Sequence, residues 1–129
     1  MSELHTFDAT ATAAMIQRGQ ISAIEAVEAA IERADALQSR LNFLVTPTFE
    51  RARERAASGA LDGPFAGVPY LVKDMYDVTG APTRWGARFG PFLPPVEANS
   101  PQVDAMEAAG LIVIGKSALN EMGYLPTTE

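Results

Sequence analysis

The run Leu111-Ile112-Val113-Ile114-Gly115 constrains this chain more than any other stretch. Closed off by Gly110 and Gly115 and with no polar position for alternation, it reads as a strand buried on both faces. Such a strand needs partners. Pro69-Tyr70-Leu71-Val72 supplies one, bounded by loop-forming residues. Between the two, Ser100-Pro101 caps and opens a helix predicted over residues 102–109, which Gly110 stops. Strand, helix, strand in that order is a βαβ crossover in a parallel sheet. The residues after Gly115 then leave the carboxyl end of a buried strand, the edge at which open α/β sheets bind ligands.

Upstream the signals are helical. Asp8 caps a helix over residues 9–18, and Gly19 stops it as a left-handed residue. Ser22-Ala23-Ile24-Glu25 is a capping box, followed at helical spacing by Ile24, Val27, Ile31, Ala34 and Leu37 or Gln38, with Glu28, Glu32 and Asp35 outward. Residues 41–45 read as a strand, and Thr46-Pro47 starts a third helix that Gly59 closes. On that helix Glu50, Arg53 and Glu54 form weak ion pairs, and the alternating Arg51, Arg53 and Arg55 read as a solvated face. The chain therefore divides into a helical segment over residues 1–60 and the start of an α/β core over residues 61–129, both within one domain.

Its 129 residues suit a single domain, although the strands are few for a closed sheet. With 47% hydrophobic and 20% charged residues the composition is that of a soluble globular protein. A net charge of −6 and unclustered basic residues exclude a nucleic-acid footprint. There is no cysteine, hence neither a disulfide nor thiolate chemistry, and the lone histidine, His5, is expected to be exposed. One histidine leaves no His-based metal site and no Ser-His-Asp triad within the chain. No metal and no cofactor is called for. Residues 1–5 have no leader pattern and no window is long enough to span a membrane, so a cytoplasmic location is expected.

The stretch Gly63-Pro64-Phe65-Ala66-Gly67-Val68-Pro69-Tyr70-Leu71-Val72-Lys73-Asp74 sets one lysine at the end of an apolar strand. Alternation puts Lys73 on the face of Leu71, with Tyr70, Val72 and Asp74 on the other. If both faces are covered, Lys73 is driven toward the interior, where an ammonium without a carboxylate loses proton affinity and becomes a general base. The other reading is a solvated strand-end charge that discourages edge pairing. Gly115-Lys116-Ser117 lacks the upstream glycine spacing of a phosphate-binding loop. Asn120 and Glu121 suit hydrogen bonds to loop backbone. The breaker-rich residues 79–95 form a long loop whose Trp85, Phe89 and Phe92 are expected to pack onto the body of the protein.

Two blocks together carry a family resemblance. The stretch from Gly63 to Asp74, followed by Ala108-Ala109-Gly110-Leu111-Ile112-Val113-Ile114-Gly115-Lys116-Ser117-Ala118-Leu119-Asn120-Glu121-Met122, resembles the N-terminal part of the amidase signature family, and Asn99-Ser100-Pro101 fits the same pattern. The resemblance implies an α/β fold in which N-terminal helices precede part of a mixed, mainly parallel sheet, incomplete in this chain. It also implies a Ser-cisSer-Lys amide hydrolase without cofactor. Lys73 is then the neutral base, relaying a proton through one serine to a second, which attacks the amide carbonyl to give an acyl-enzyme. Backbone N–H groups of a glycine-rich loop stabilise the oxyanion.

The glycine- and serine-rich signature that supplies both serines is expected after Glu129, and Ser100 and Ser117 stand in other motifs. This chain is therefore expected to be a fragment, a nicked product or one of two chains, inactive alone and completed by a C-terminal segment or a second chain. The implied partners are that segment, a small-molecule amide and further copies in a homo-oligomer of the complete enzyme, with no nucleic acid and no membrane. Met122, Gly123 and Tyr124 are candidates for the wall of the substrate pocket. Asn120-Glu121-Met122-Gly123 and Pro69-Tyr70-Leu71-Val72-Lys73-Asp74 further resemble relatives that open aminohexanoate oligomers. Two alternatives stand beside this reading: an amidotransferase component that releases ammonia from glutamine, and a non-catalytic interaction module in which Lys73 is structural.

Overall fold

In a computed structural model, which describes residues 3–128, the described residues open with a 3-10 turn and two helices whose ends follow from their caps. Helix α1 (Ala9–Gln17) starts where Asp8 Oδ1 accepts the Ala11 N–H at 2.8 Å, and Gly19 follows it at φ +66°. Helix α2 (Ala23–Leu41) opens on a reciprocal capping box. Ser22 Oγ accepts the Glu25 N–H at 3.2 Å, and Glu25 Oε2 accepts the Ser22 N–H at 2.7 Å. Bonds from the Ser22 hydroxyl and then from its backbone hold the Glu25 carboxyl below the usual carboxylate range.

Helix α2 runs on to Leu41 and is closed by Asn42 at φ 46°, so the strand expected from residue 41 begins later, as β1 (Leu44–Pro47). The Gln38 amide holds that junction, donating to Leu44 O and accepting from Leu44 N, each at 2.9 Å. Pro47 ends the strand instead of opening a helix. Helix α3 (Phe49–Ala57) follows Thr48, whose hydroxyl donates to Val113 O at 3.0 Å and so joins the sheet instead of capping the helix.

The remaining elements are β2 (Pro69–Lys73), α4 (Pro101–Ala108) and β3 (Ile112–Ser117). Among the described residues the three strands form a mixed sheet in the order β1-β3-β2, with β2 parallel and β1 antiparallel to β3. The central position of β3 explains its unbroken apolar run. Ile112 and Ile114 pack with Val27, Ile31, Ala52 and Ala56 beneath α2 and α3, while Val113 packs with Val72, Val78, Ala81 and Val103 on the opposite face. Along β2, Leu71 joins the first cluster and Val72 the second.

Two polar expectations change. The α3 arginines are ties, not a solvated face. Arg51 meets the Glu107 carboxylate at 2.6 and 3.0 Å, Arg55 donates to Glu107 O at 2.8 Å, and Arg53 meets Glu28 at 2.7 and 3.1 Å and Glu50 at 2.7 Å. Helix α3 lies within reach of α2 on one side and α4 on the other, so its long side chains find acceptors on both. At α4, Ser100 has the backbone of a cap but makes no side-chain cap bond. Its neighbour Asn99 organises the corner, accepting from Thr79 N and Oγ1 at 2.8 and 3.0 Å and donating to Asp104 and Glu107. In the 79–95 loop Trp85 is half-buried, but Phe89 and Phe92 are exposed, at 49% and 88%. No helix among the described residues is long and apolar enough to cross a membrane.

Candidate active site

Lys73 is the last residue of β2, paired with Ser117 at the carboxyl ends of two parallel strands. Its backbone is clamped: Lys73 O accepts from Met75 N at 2.7 Å and Tyr76 N at 3.1 Å, and the next N–H, of Asp74, donates to Ser117 O at 3.0 Å. Its side chain is exposed, not interior. The reason is position, since β2 is an edge of the described sheet and Lys73 stands at its tip. Among the described residues Lys73 has no ion-pair partner.

The buried lysine is a different one. Lys116, on β3, is fully buried, with Nζ 2.9 Å from Asp74 Oδ1 in a pair whose side chains are 0% and 1% exposed. Its other donors reach Pro82 O at 2.9 Å and Thr83 Oγ1 at 2.7 Å, which accounts for all its ammonium hydrogens. Thr83 Oγ1 donates onward to Asp77 Oδ1 at 2.6 Å. Asp74 also receives the Arg84 N–H at 3.2 and 3.3 Å, and its carbonyl accepts from Trp85 N at 3.2 Å. Asp74 and Lys116 thus tie the ends of β2 and β3 to the 79–95 loop. Reading the residues singly misses this pair. The signal lies in the pairing, because register Val72 to Lys116 puts Lys116 on the face shared by Val72 and Asp74.

Of the other candidates, Met122 and Tyr124 are 43% and 83% exposed, and Gly123 is exposed between them. Met122 has a left-handed φ of 54°, and its N–H donates to Trp85 O at 2.8 Å. Because Trp85 N in turn reaches Asp74 O, one chain of backbone bonds links the Met122 turn to the residue beside Lys73. Asn120 does bond loop backbone, donating from Nδ2 to Leu125 O. Among the described residues no cluster of three His, Cys, Asp or Glu is placed to hold a metal ion. An apolar groove of about 240 Å³, lined by Phe7, Ala26, Ala30 and Val68 among others, takes in neither lysine.

A family model described as Amidase matches residues 25–129, which run from the first turn of α2 through the Met122 turn and include both lysine-bearing strands. The chain belongs to the Amidase family. A 6-aminohexanoate-cyclic-dimer hydrolase of Paenarthrobacter ureafaciens is 38% identical over 124 residues, 95% of this chain and 25% of the relative. A glutamyl-tRNA(Gln) amidotransferase subunit of Salinispora tropica is 34% identical over 100% of this chain and 28% of its own length. The solved structure of a 6-aminohexanoate cyclic dimer hydrolase complexed with substrate superimposes with a TM-score of 0.90 at 35% identity, covering 99% of this chain and 26% of that one. This Amidase chain therefore spans about a quarter of the length of the relatives it matches. In it, helices precede a mixed sheet, as the resemblance implied.

Proposed function

We propose that this chain is the lysine-bearing part of an enzyme that hydrolyses a carboxylic amide through an acyl-serine intermediate, with Lys73 as the proton-accepting base. The observation that carries the reading is the state of Lys73. It stands at the carboxyl end of β2 on a clamped backbone, without an ion-pair partner among the described residues, at the position to which the resemblance assigns the base in a chain of the Amidase family.

A base with that geometry accepts the proton of a relay serine, which in turn deprotonates the nucleophilic serine as it attacks the amide carbonyl. The amine then leaves with a proton, and water releases the acid. Both serines and the oxyanion donors belong to the three-quarters of the relatives' length that this chain does not span, so these residues on their own do not turn over amide. Met122, Gly123 and Tyr124, all exposed, are the candidate walls for the substrate in this reading. The likeness to the cyclic-dimer hydrolase supports a linear or cyclic aliphatic amide as substrate. The match of the whole chain to an amidotransferase component keeps ammonia release from glutamine as a second reading.

The test is amide turnover by the complete enzyme. Lys73→Ala is expected to keep its fold, because the exposed side chain makes no ion pair among the described residues, and to lose about 1,000-fold or more in kcat. Turnover within about threefold of the parent would overturn the reading.

A further inference from the structure

The corner where β2 ends holds more charge than this chemistry uses. Lys73, Asp74 and Asp77 come from β2 and the turn after it, Arg84 from the 79–95 loop, and Lys116 from β3. Asp74 is the carboxylate next to Lys73 along the chain. A carboxylate paired with a lysine holds it as the ammonium, which accepts no proton.

Asp74 is engaged elsewhere. Its Oδ1 stands 2.9 Å from Lys116 Nζ, and its two oxygens share the Arg84 N–H at 3.3 and 3.2 Å. Nor is Lys116 free to turn away, since Pro82 O and Thr83 Oγ1 take its remaining hydrogens at 2.9 and 2.7 Å. Thr83 also occupies the other carboxylate of the corner, donating to Asp77 at 2.6 Å. A buried ion pair adds little stability over apolar residues of equal volume, so stability alone does not account for a lysine buried here.

We propose that Lys116 is a positioning residue for the base: it holds and neutralises Asp74 on the far side of β2, leaving Lys73 without a carboxylate partner. The inference rests on the reading of Lys73 given above.

The test uses the complete enzyme and a fluorophosphonate probe, in which the serine oxygen bonds to phosphorus, fluoride leaves and the serine proton passes to the base. Saturation kinetics separate KI from kinact. Lys116→Met leaves the buried Asp74 charge unpaired one residue along the chain from Lys73; KI is expected within about twofold of the parent and kinact about 10-fold or more lower. The double variant Lys116→Met/Asp74→Asn leaves no buried charge and is expected to return kinact to within about threefold.

A folded Lys116→Met protein with parental kinact, or a double variant as slow as the single, overturns the proposal. Should the single variant not fold, the double variant decides alone: near-parental kinact supports the proposal, and a loss of about 10-fold or more refutes it. Lys73→Ala, run alongside, separates the two readings. Parental kinact in that variant means the base assignment has failed. Loss there with no loss in folded Lys116→Met means that only the role of Lys116 has failed.

Discussion

Gly110 lets the two sequence blocks meet, and Gly110→Ala measures what that contact demands. The residue lies between α4 and β3 at φ +94°, and a Cβ there would stand 2.5 Å from Asp62 O and 2.6 Å from Ala66 Cα and N. Its carbonyl accepts from Gly67 N at 3.0 Å, and that of Ala109 from Phe65 N at 2.9 Å, so the backbone it would strike is pinned. Placing alanine in a left-handed conformation costs about 1–2 kcal/mol. Forcing pinned backbone aside adds about 1–3 kcal/mol, for a total of about 2–5. Gly59→Ala is the control: φ is +68° but nothing lies within 4 Å, so only the conformational cost of about 1–2 kcal/mol applies. Urea denaturation at matched m-values measures the difference. If Gly110→Ala costs within about 0.5 kcal/mol of Gly59→Ala, the close approach of the blocks is not what requires glycine here.

The ties between helices are tested by Glu107→Gln, which weakens the two-pronged bond to Arg51 at a carboxylate only 11% exposed. It should destabilise by about 1–2 kcal/mol in the same urea assay, whereas Glu54→Gln, at an exposed position, should stay within about 0.5. Acid should act through α2. Ser22 holds the Glu25 carboxyl below its ordinary value of 4.5, and the Arg53 hydrogen bond does the same for Glu28. A depressed carboxyl contributes stability above its unfolded value and loses it as pH falls through the folded one. Urea midpoints should therefore hold near neutrality and decline below pH 4.5, with a shallower decline in Ser22→Ala.

What can be read from sequence is what is local or periodic. The Ser22–Glu25 capping box, the left-handed Gly19 and the buried run of β3 need only a few neighbouring residues to define them, and all three stand as expected. Errors arise where a non-local partner decides. Thr48 and Pro47 look like the start of a helix until β3 claims the Thr48 hydroxyl, and Ser100 looks like a cap until Asn99 takes over the polar corner. The arginines of α3 look solvated until α4 supplies Glu107. The largest omission, the Lys116–Asp74 pair, follows from parallel register, which neither strand specifies by itself. Lys73 stands out by its place at the end of β2, but its exposure depends on what lies beside the edge of the sheet.

The central claim is that Lys73 is the base for acyl transfer to serine, and the acyl-enzyme is its most direct witness. The complete enzyme is mixed with a short-chain acyl p-nitroanilide, quenched within the first turnover and weighed intact. The parent should gain the mass of one acyl group as p-nitroaniline appears, and folded Lys73→Ala should gain none in that interval. An acyl adduct forming in Lys73→Ala at within about threefold of the parental rate would contradict the account.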